Sequence, residues 1–253
     1  MHLISIITPF YNAFNTIDET VHSVLSQSYT NWELIICNDH GEKGYDYLKN
    51  RYSDKRVKVI NNDGSSGASF ARNKAIEASK GRFIAFLDSD DIWLTNKLEV
   101  QLEFMLSTQC AFSYGNYYSI KNTTSDSSKH EDVGSYEAPD TIGFRQLLKH
   151  CPIGCLTVML DRESIPNISL PDIGKEDYAL WLKICKTGIV AKRYPGILAK
   201  YRLSSDSLSS NKYKEIPKQY RVLRSIAELN PISAGYNVIL YSLNGLIKHF
   251  VRY

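Results

Sequence analysis

The sequence predicts an α/β fold, with a mostly parallel central sheet, helices on both of its faces, and a helical tail at the C-terminus. Two observations predict the sheet. Short apolar runs alternate with helical patterns over roughly the first hundred residues, the order that buries parallel strands between two helical layers. The run Phe83-Ile84-Ala85-Phe86-Leu87 is continuously apolar, as a strand covered on both faces must be. The third observation predicts the tail: Tyr236, Ile239, Leu240, Leu243, Ile247 and Phe250 recur at helical spacing after Asn230-Pro231.

The elements follow in order. Leu3 to Ile7 reads as a first buried strand, broken at Thr8-Pro9-Phe10-Tyr11-Asn12. A helix follows, with Asn15 as its cap and Ile17, Val21, Val24 and Leu25 as its stripe. Trp32 to Cys37 and Val57 to Ile60 are strands, Ala68 to Ser79 is a helix, and Phe83 to Leu87 is the next strand. A helical stripe runs through Leu94, Leu98, Leu102, Met105 and Leu106, capped by Thr95. Ala111 to Ile120 is a tyrosine-rich strand, and the polar stretch from Lys121 to Pro139 reads as a flap. A short helix at Phe144–Leu148, a strand at Leu156–Leu160, a helix from Glu176 to Lys186 and a strand ending at Tyr201-Arg202 complete the body. The expected organisation is one domain over 1–210, divided at 115/116 into two halves, and a helical extension over 211–253.

Bulk composition narrows the class. Hydrophobic residues at 43% and charged residues at 23% are those of a soluble globular chain, and a net charge of +3 is too small to imply nucleic acid. The five cysteines are odd in number and lie mostly in apolar runs, so they read as reduced core thiols and not as a disulfide framework. The N-terminus does not read as a signal peptide, and no apolar run is long enough to span a bilayer. The expected location is therefore the cytoplasm, or the inner face of the cell membrane. Gly-x-Gly-x-x-Gly does not follow the first strand and a Walker motif is absent, which disfavours dehydrogenase-type and P-loop chemistry.

Function concentrates at Asp88-Ser89-Asp90-Asp91. Carboxylates do not gather at the end of a core strand without cause, because desolvating unpaired charge is costly. Asp88 and Asp90 point to one side of an extended chain and offer hard oxygen ligands for Mg²⁺ or Mn²⁺, leaving positions open to phosphate oxygens. A helix-capping turn is the plainer alternative, although three Asp in four positions exceed what a cap needs. Ligands in parallel sheets bind beyond the C-terminal strand ends, where Tyr11, Asp39 and this cluster fall. Asp177 shares a helix face with Leu180, Trp181, Ile184 and Cys185, so it points inward. Glu176 falls nearer Lys183, on the wetter side, where favouring the helix dipole accounts for it.

Several of these segments together resemble the family 2 glycosyltransferases of the GT-A fold. They are Ser5 to Asn12, Ser23 to Tyr29, Trp32 to Ile36, Gly67-Ala68 with Ala71-Arg72-Asn73, Phe86 to Asp91, Glu176 to Trp181, and Tyr201-Arg202, and they fall in the family's order. The resemblance implies that Thr8, Pro9 and Tyr11 hold the nucleotide base and that Asp39 hydrogen-bonds it. It implies that Arg72 lies near the nucleotide, Asp88 near the ribose, and that Asp90 binds Mn²⁺ or Mg²⁺ on the diphosphate, with Asp91 close by. Asp177 matches the general base, with Glu176 as the neighbouring carboxylate, and Arg202 and Ser204 mark the tail of the nucleotide site. Two departures stand out. The usual Asp-Asp-Gly is Asn38-Asp39-His40, and the usual His two residues after Tyr-Arg is Ser204.

The reaction so implied is inverting, metal-dependent transfer of a hexose from a UDP-sugar to a saccharide hydroxyl. It belongs to bacterial surface-polysaccharide synthesis of the O-antigen kind, with a polyprenyl-diphosphate-linked acceptor. A sugar nucleotidyltransferase would want a basic, Gly-rich loop after the first strand, and a non-catalytic sugar-nucleotide-binding subunit would want the base lost. The tail adds a partner. Lys212, Lys214, Lys218, Arg221, Arg224, Lys248 and Arg252 flank an amphipathic stretch, as a helix lying on an anionic membrane surface requires. Packing of Ile239, Leu243, Ile247 and Phe250 on the domain or on a second copy is the alternative.

Overall fold

A computed structural model of the chain describes residues 1–41, 44–123, 129–203 and 212–250. The N-terminal part runs β1 (Ile4–Phe10), α1 (Ile17–Leu25), β2 (Trp32–Asp39), α2 (Gly44–Arg51), β3 (Val57–Asn62), α3 (Ala68–Ala78), β4 (Phe83–Phe86), β5 (Ile92–Trp93) and α4 (Lys97–Ser107). The remainder runs β6 (Phe112–Asn122), β7 (His130–Tyr136), β8 (Thr141–Ile142), α5 (Phe144–Leu147), a 3₁₀ turn (Cys155–Thr157), β9 (Met159–Asp161), α6 (Glu176–Lys186), β10 (Ala191–Arg202), α7 (Lys212–Ser225) and α8 (Pro231–Phe250).

One sheet carries the fold, in the order β3-β2-β1-β4-β9-β6-β10-β5, with β7 beside β6 and β8 beside β10. The four strands β3, β2, β1 and β4 are parallel; β9 runs antiparallel between β4 and β6, and β6 and β10 are again parallel. Register aligns the strand ends: Phe10 sits opposite Asn38, and Asn38 opposite Asn61. Side chains alternate between faces with period two. Ile4, Ile6, Leu34, Ile36, Phe83 and Ala85 enter one apolar layer, closed by Val21, Leu48 and Leu98 of α1, α2 and α4. Ile7, Ile35, Cys37, Ile84 and Phe86 enter the other, closed by Ala71 of α3, Trp181 of α6, and Val222 and Val238 of α7 and α8. The C-terminal helices therefore share a core layer with α3 and α6.

Several expectations change. β1 runs through Thr8 and Pro9 to Phe10 instead of breaking at Thr8. α2 carries one buried apolar side chain, Leu48, so it leaves no stripe in the sequence. Ile92-Trp93 forms a short strand ahead of α4, which begins after Asn96, not after Thr95. Likewise α1 begins after Thr16 instead of Asn15. The 121–139 flap contains β7, paired antiparallel with β6; no residue of β7 is buried, so this strand carries no hydrophobic period. Leu156–Leu160 is a 3₁₀ turn leading into β9.

Candidate active site

The alternation of β4 sets the site. Ile84 and Phe86 face the α3–α6 layer, and Asp88, two residues on, meets Arg72 of α3. Arg72 Nη2 donates to Asp88 Oδ1 at 2.6 Å and Nη1 to Glu176 Oε1 at 2.8 Å. This guanidinium is buried, and its two charge-assisted bonds tie the end of β4 to the start of α6. Glu176 is thus not a solvent-facing dipole partner. It faces inward onto Arg72, because the first turn of α6 lies beside that α3 side chain.

α6 is seated by Trp181, whose ring meets Phe86 edge-on at 5.6 Å and Phe112 at 5.1 Å. Asp177 lies one helical turn earlier on the same face, half-buried, with its Oδ1 accepting the Tyr178 N–H at 2.6 Å. Burial, then the charge of Glu176, pushes its carboxyl above the usual range. The preceding residue, Lys175, holds a left-handed backbone at φ 55°, ψ 46°, a conformation that costs a non-glycine residue about 1–2 kcal/mol.

The acidic loop is held from behind by a polar ladder on α1 that the apolar stripe concealed. Thr16 Oγ1 donates to the Ser89 carbonyl at 2.9 Å, Thr20 Oγ1 to that of Asp91 at 2.8 Å, and Gln27 Nε2 to that of Leu94 at 2.8 Å. Ser23 Oγ accepts the Trp93 N–H. Spacings of four, three and four residues line up Thr20 and Ser23 of α1 with Thr16 at its N-cap and Gln27 just past its C-cap. Arg202 closes the loop from the other side. Its Nε donates to the Asp90 carbonyl at 2.8 Å, its backbone N–H to Asp91 Oδ1 at 2.9 Å, and its guanidinium also reaches Glu19 and Asn122. Asp91 is therefore a buried buttress, and Arg202 positions the loop through Asp90's backbone.

Asp90 itself is left with little compensation. Burial, then the adjacent Asp88 charge, pushes its carboxyl up to about 6. Among the described residues no three His, Cys, Asp or Glu side chains converge as a metal cage. Two neighbouring carboxylates, one destabilised by the other, suit a hard divalent cation that takes its remaining ligands from phosphate oxygens and water.

Toward β1–β3, Tyr11 is 65% exposed at the end of β1. Asp39 is buried, accepting Asn62 Nδ2 at 2.9 Å and the Gly67 N–H at 2.8 Å. Gly67 holds φ 131°, open to glycine alone, as the chain turns into α3. Thr8 is fully buried, and its Oγ1 meets no hydrogen-bond partner among the described residues. An open cleft of about 460 Å³ at the ends of β2 and β3 is lined by Asn38, His40, Asn62 and Asp63. A deeper cavity of about 420 Å³ is lined by Asp88, Asp91 and Asp177, by Tyr117 and Tyr201 of the sheet, and by Glu215 and Tyr241 of α7 and α8.

Residues 5–167 match the family described as Glycosyl transferase family 2. The chain belongs to that family. It is 45% identical over 253 residues to the Escherichia coli UDP-Glc:alpha-D-GlcNAc-diphosphoundecaprenol beta-1,3-glucosyltransferase WfgD, covering 100% of this chain and 97% of that protein. It is 43% identical over 256 residues to WfaP of the same organism, which bears the same description, covering 100% and 98%. Its fold is that of S. aureus TarS residues 1–349 in complex with UDP-GlcNAc, with TM-score 0.68 and 16% identity over 94% of this chain and 70% of that one. The mannosyltransferase PcManGT from Pyrobaculum calidifontis, in complex with GDP-Man and Mn2+, superposes with TM-score 0.66 and 14% identity over 94% and 68%.

This family 2 enzyme, an inverting glycosyltransferase, brings Asp88, Arg72, Glu176 and Asp177 into one cluster, with Asp90 and Asp91 beside it. Pro9 and Tyr11 stand apart, on β1 and at its end. Ser204 lies outside the described residues, as do the side chains of Lys212, Lys214, Ile247, Lys248 and Phe250, and Arg252. Sequence reasoning missed the α1 ladder and Glu215 and Tyr241. The ladder was legible as Thr16, Thr20, Ser23 and Gln27 at helical spacing; Glu215 and Tyr241 gave no signal of their own.

Proposed function

We propose that this glycosyltransferase moves glucose from UDP-glucose to the sugar of an N-acetylglucosaminyl diphosphate lipid. The carrying observation is full-length identity of 45% and 43% to two enzymes described by that reaction. A cavity that joins the acidic loop to an inward carboxylate supports it. Tyr11 and Asp39 would receive the uracil, with Thr8, Pro9 and Arg72 around the nucleotide and Asp88 at the ribose. Asp90, next to Asp88, would hold Mn²⁺ or Mg²⁺, which when bound supplies Lewis-acid stabilisation of the departing diphosphate.

Asp177 takes the proton of the acceptor hydroxyl. The hydroxyl oxygen bonds to the anomeric carbon as the bond from that carbon to the β-phosphate oxygen breaks, and its electron pair leaves with UDP. Attack from the face opposite UDP inverts the configuration. A carboxylate lifted above its ordinary pKa is the stronger base for this step. The membrane enters through the outer face of α8, where Ile232, Tyr236, Ile239 and Leu243 are 86%, 61%, 60% and 50% exposed. Arg221 and Arg224 of α7 are exposed as well. An apolar stripe with basic neighbours suits an anionic bilayer surface, and no helix among the described residues is long and apolar enough to cross one.

The test is transfer from radiolabelled UDP-glucose, UDP-galactose and UDP-N-acetylglucosamine to a synthetic α-N-acetylglucosaminyl diphosphate bearing an alkyl chain, with Mn²⁺ and with chelator. Metal-dependent formation of a β-linked glucosyl product is expected. Transfer from another sugar nucleotide in preference to UDP-glucose overturns the donor, and full activity in chelator overturns the metal.

A further inference from the structure

The deeper cavity has two walls of different origin. One is the sheet and the acidic loop; the other belongs to α6, α7 and α8 and holds Lys175, Tyr178, Glu215 and Tyr241. The second wall is built, not incidental. Gln219 is buried on α7, accepting Lys175 Nζ at 3.1 Å and donating to the Tyr178 hydroxyl at 3.0 Å. That hydroxyl donates in turn to the Leu147 carbonyl at 2.9 Å. Glu215 lies one helical turn before Gln219, so this network fixes its direction. Its Oε1 accepts Lys218 Nζ at 2.8 Å, and its Oε2 lies 3.6 Å from Lys175 Nζ. The Lys175 ammonium also sits 4.8 Å over the Tyr241 ring, which packs 5.6 Å from that of Tyr178.

The chemistry of the lining selects the occupant. Asp88, Asp91, Asp177 and Glu215 line it with one ammonium, Lys175; counting Arg72 on Asp88 and Lys218 on Glu215, these groups still carry no excess of positive charge, so a second diphosphate is disfavoured there. A neutral sugar fits both kinds of surface. Its hydroxyls donate to carboxylates that retain lone pairs, and its C–H face lies against tyrosine rings. A volume of about 420 Å³ lies within the usual range for small-molecule sites.

We propose that this cavity is the acceptor-sugar subsite and that the C-terminal helices complete it. Glu215 reads acceptor hydroxyls and Tyr241 packs against the ring, while the acceptor's diphosphate stays outside. The same helix, α8, turns Tyr241 inward and Ile239 and Leu243 outward, so a sugar on a lipid carrier reaches the cavity beside the face proposed to meet the bilayer. The inference rests on the proposed transfer to a saccharide.

The experiment uses the full chain with Glu215→Gln and Tyr241→Leu and the alkyl N-acetylglucosaminyl diphosphate as probe. Steady-state kinetics give the acceptor KM, calorimetry gives UDP affinity, and saturation-transfer NMR with UDP present reads probe binding without turnover. Each variant should raise the acceptor KM at least tenfold and weaken saturation transfer to the sugar protons, while UDP affinity stays within twofold of the parent. Unchanged acceptor KM and saturation transfer overturn the subsite. A parallel loss of UDP affinity also overturns it, since the cavity would then serve the donor. Failure of the parent to use any UDP-hexose strikes the proposed function instead, and saturation transfer still decides the subsite.

Discussion

Replacing Asp90 by Asn should stabilise the metal-free protein while abolishing transfer. In the folded chain, burial and the Asp88 charge lift this carboxyl from 3.8 to about 6. An acid whose folded pKa exceeds its unfolded value binds its proton more tightly when folded. Its favourable contribution is therefore complete below about pH 4 and is lost as pH rises through about 6. Roughly two pKa units at 1.36 kcal/mol each set a ceiling of about 3 kcal/mol on the penalty carried by ionised Asp90 above that range. Asn keeps the shape and cannot ionise, so it escapes this penalty. Urea denaturation of chelator-treated protein at pH 7.5 should show Asp90→Asn more stable by up to about 3 kcal/mol, or roughly 6–12 °C in Tm for a chain of this size. The two proteins should converge near pH 4. Added Mn²⁺ should raise the stability of the parent alone, because a ligand stabilises only a state that binds it. A variant no more stable than the parent at pH 7.5, or a gain equally large at pH 4, would refute the electrostatic origin.

Arg72→Met should remove about 3–5 kcal/mol of unfolding free energy by denaturant titration, because Asp88 and Glu176 lose their shared buried partner; Arg72→Lys should recover part of that, and a loss below 1 kcal/mol would show the bridge to be solvent-screened. Asp177→Asn should lower kcat by roughly 10²–10⁴-fold with UDP-sugar affinity unchanged by calorimetry, whereas retention of activity there and its loss in Glu176→Gln would reassign the base. The double variant Ile239→Ser, Leu243→Ser should leave Tm within a few degrees, since both side chains are exposed, yet reduce co-sedimentation with anionic liposomes at low salt; unaltered sedimentation would assign that face another occupant. Truncation after residue 210 should yield insoluble or unfolded protein, because Val222, Leu223, Ala234 and Val238 belong to the core layer over α6; a soluble fragment with a cooperative melt would show that layer to be dispensable.

The parts of the site that sequence could reveal are those where chemistry and local periodicity coincide. Asp88 continues the alternation of β4, and Asp177 precedes an apolar helix face at spacings of three and four, so both orientations follow from one element alone. Glu176 shows where that logic fails. Its own helix assigns it to the wetter side, and what turns it inward is Arg72, more than a hundred residues earlier and carried by a different helix. Glu215 and Tyr241 fail in the same way. On α7 and α8 they read as one ordinary acid and one ordinary stripe-edge tyrosine, and only the packing of those helices over α6 makes them a wall of the cavity beside the acidic loop. The α1 ladder is the intermediate case. Its spacing was visible, but four polar side chains at helical spacing read as solvated until a partner exists, and that partner is backbone. Backbone carbonyls leave no residue signature, so the element that holds the acidic loop from behind is also the one composition describes least.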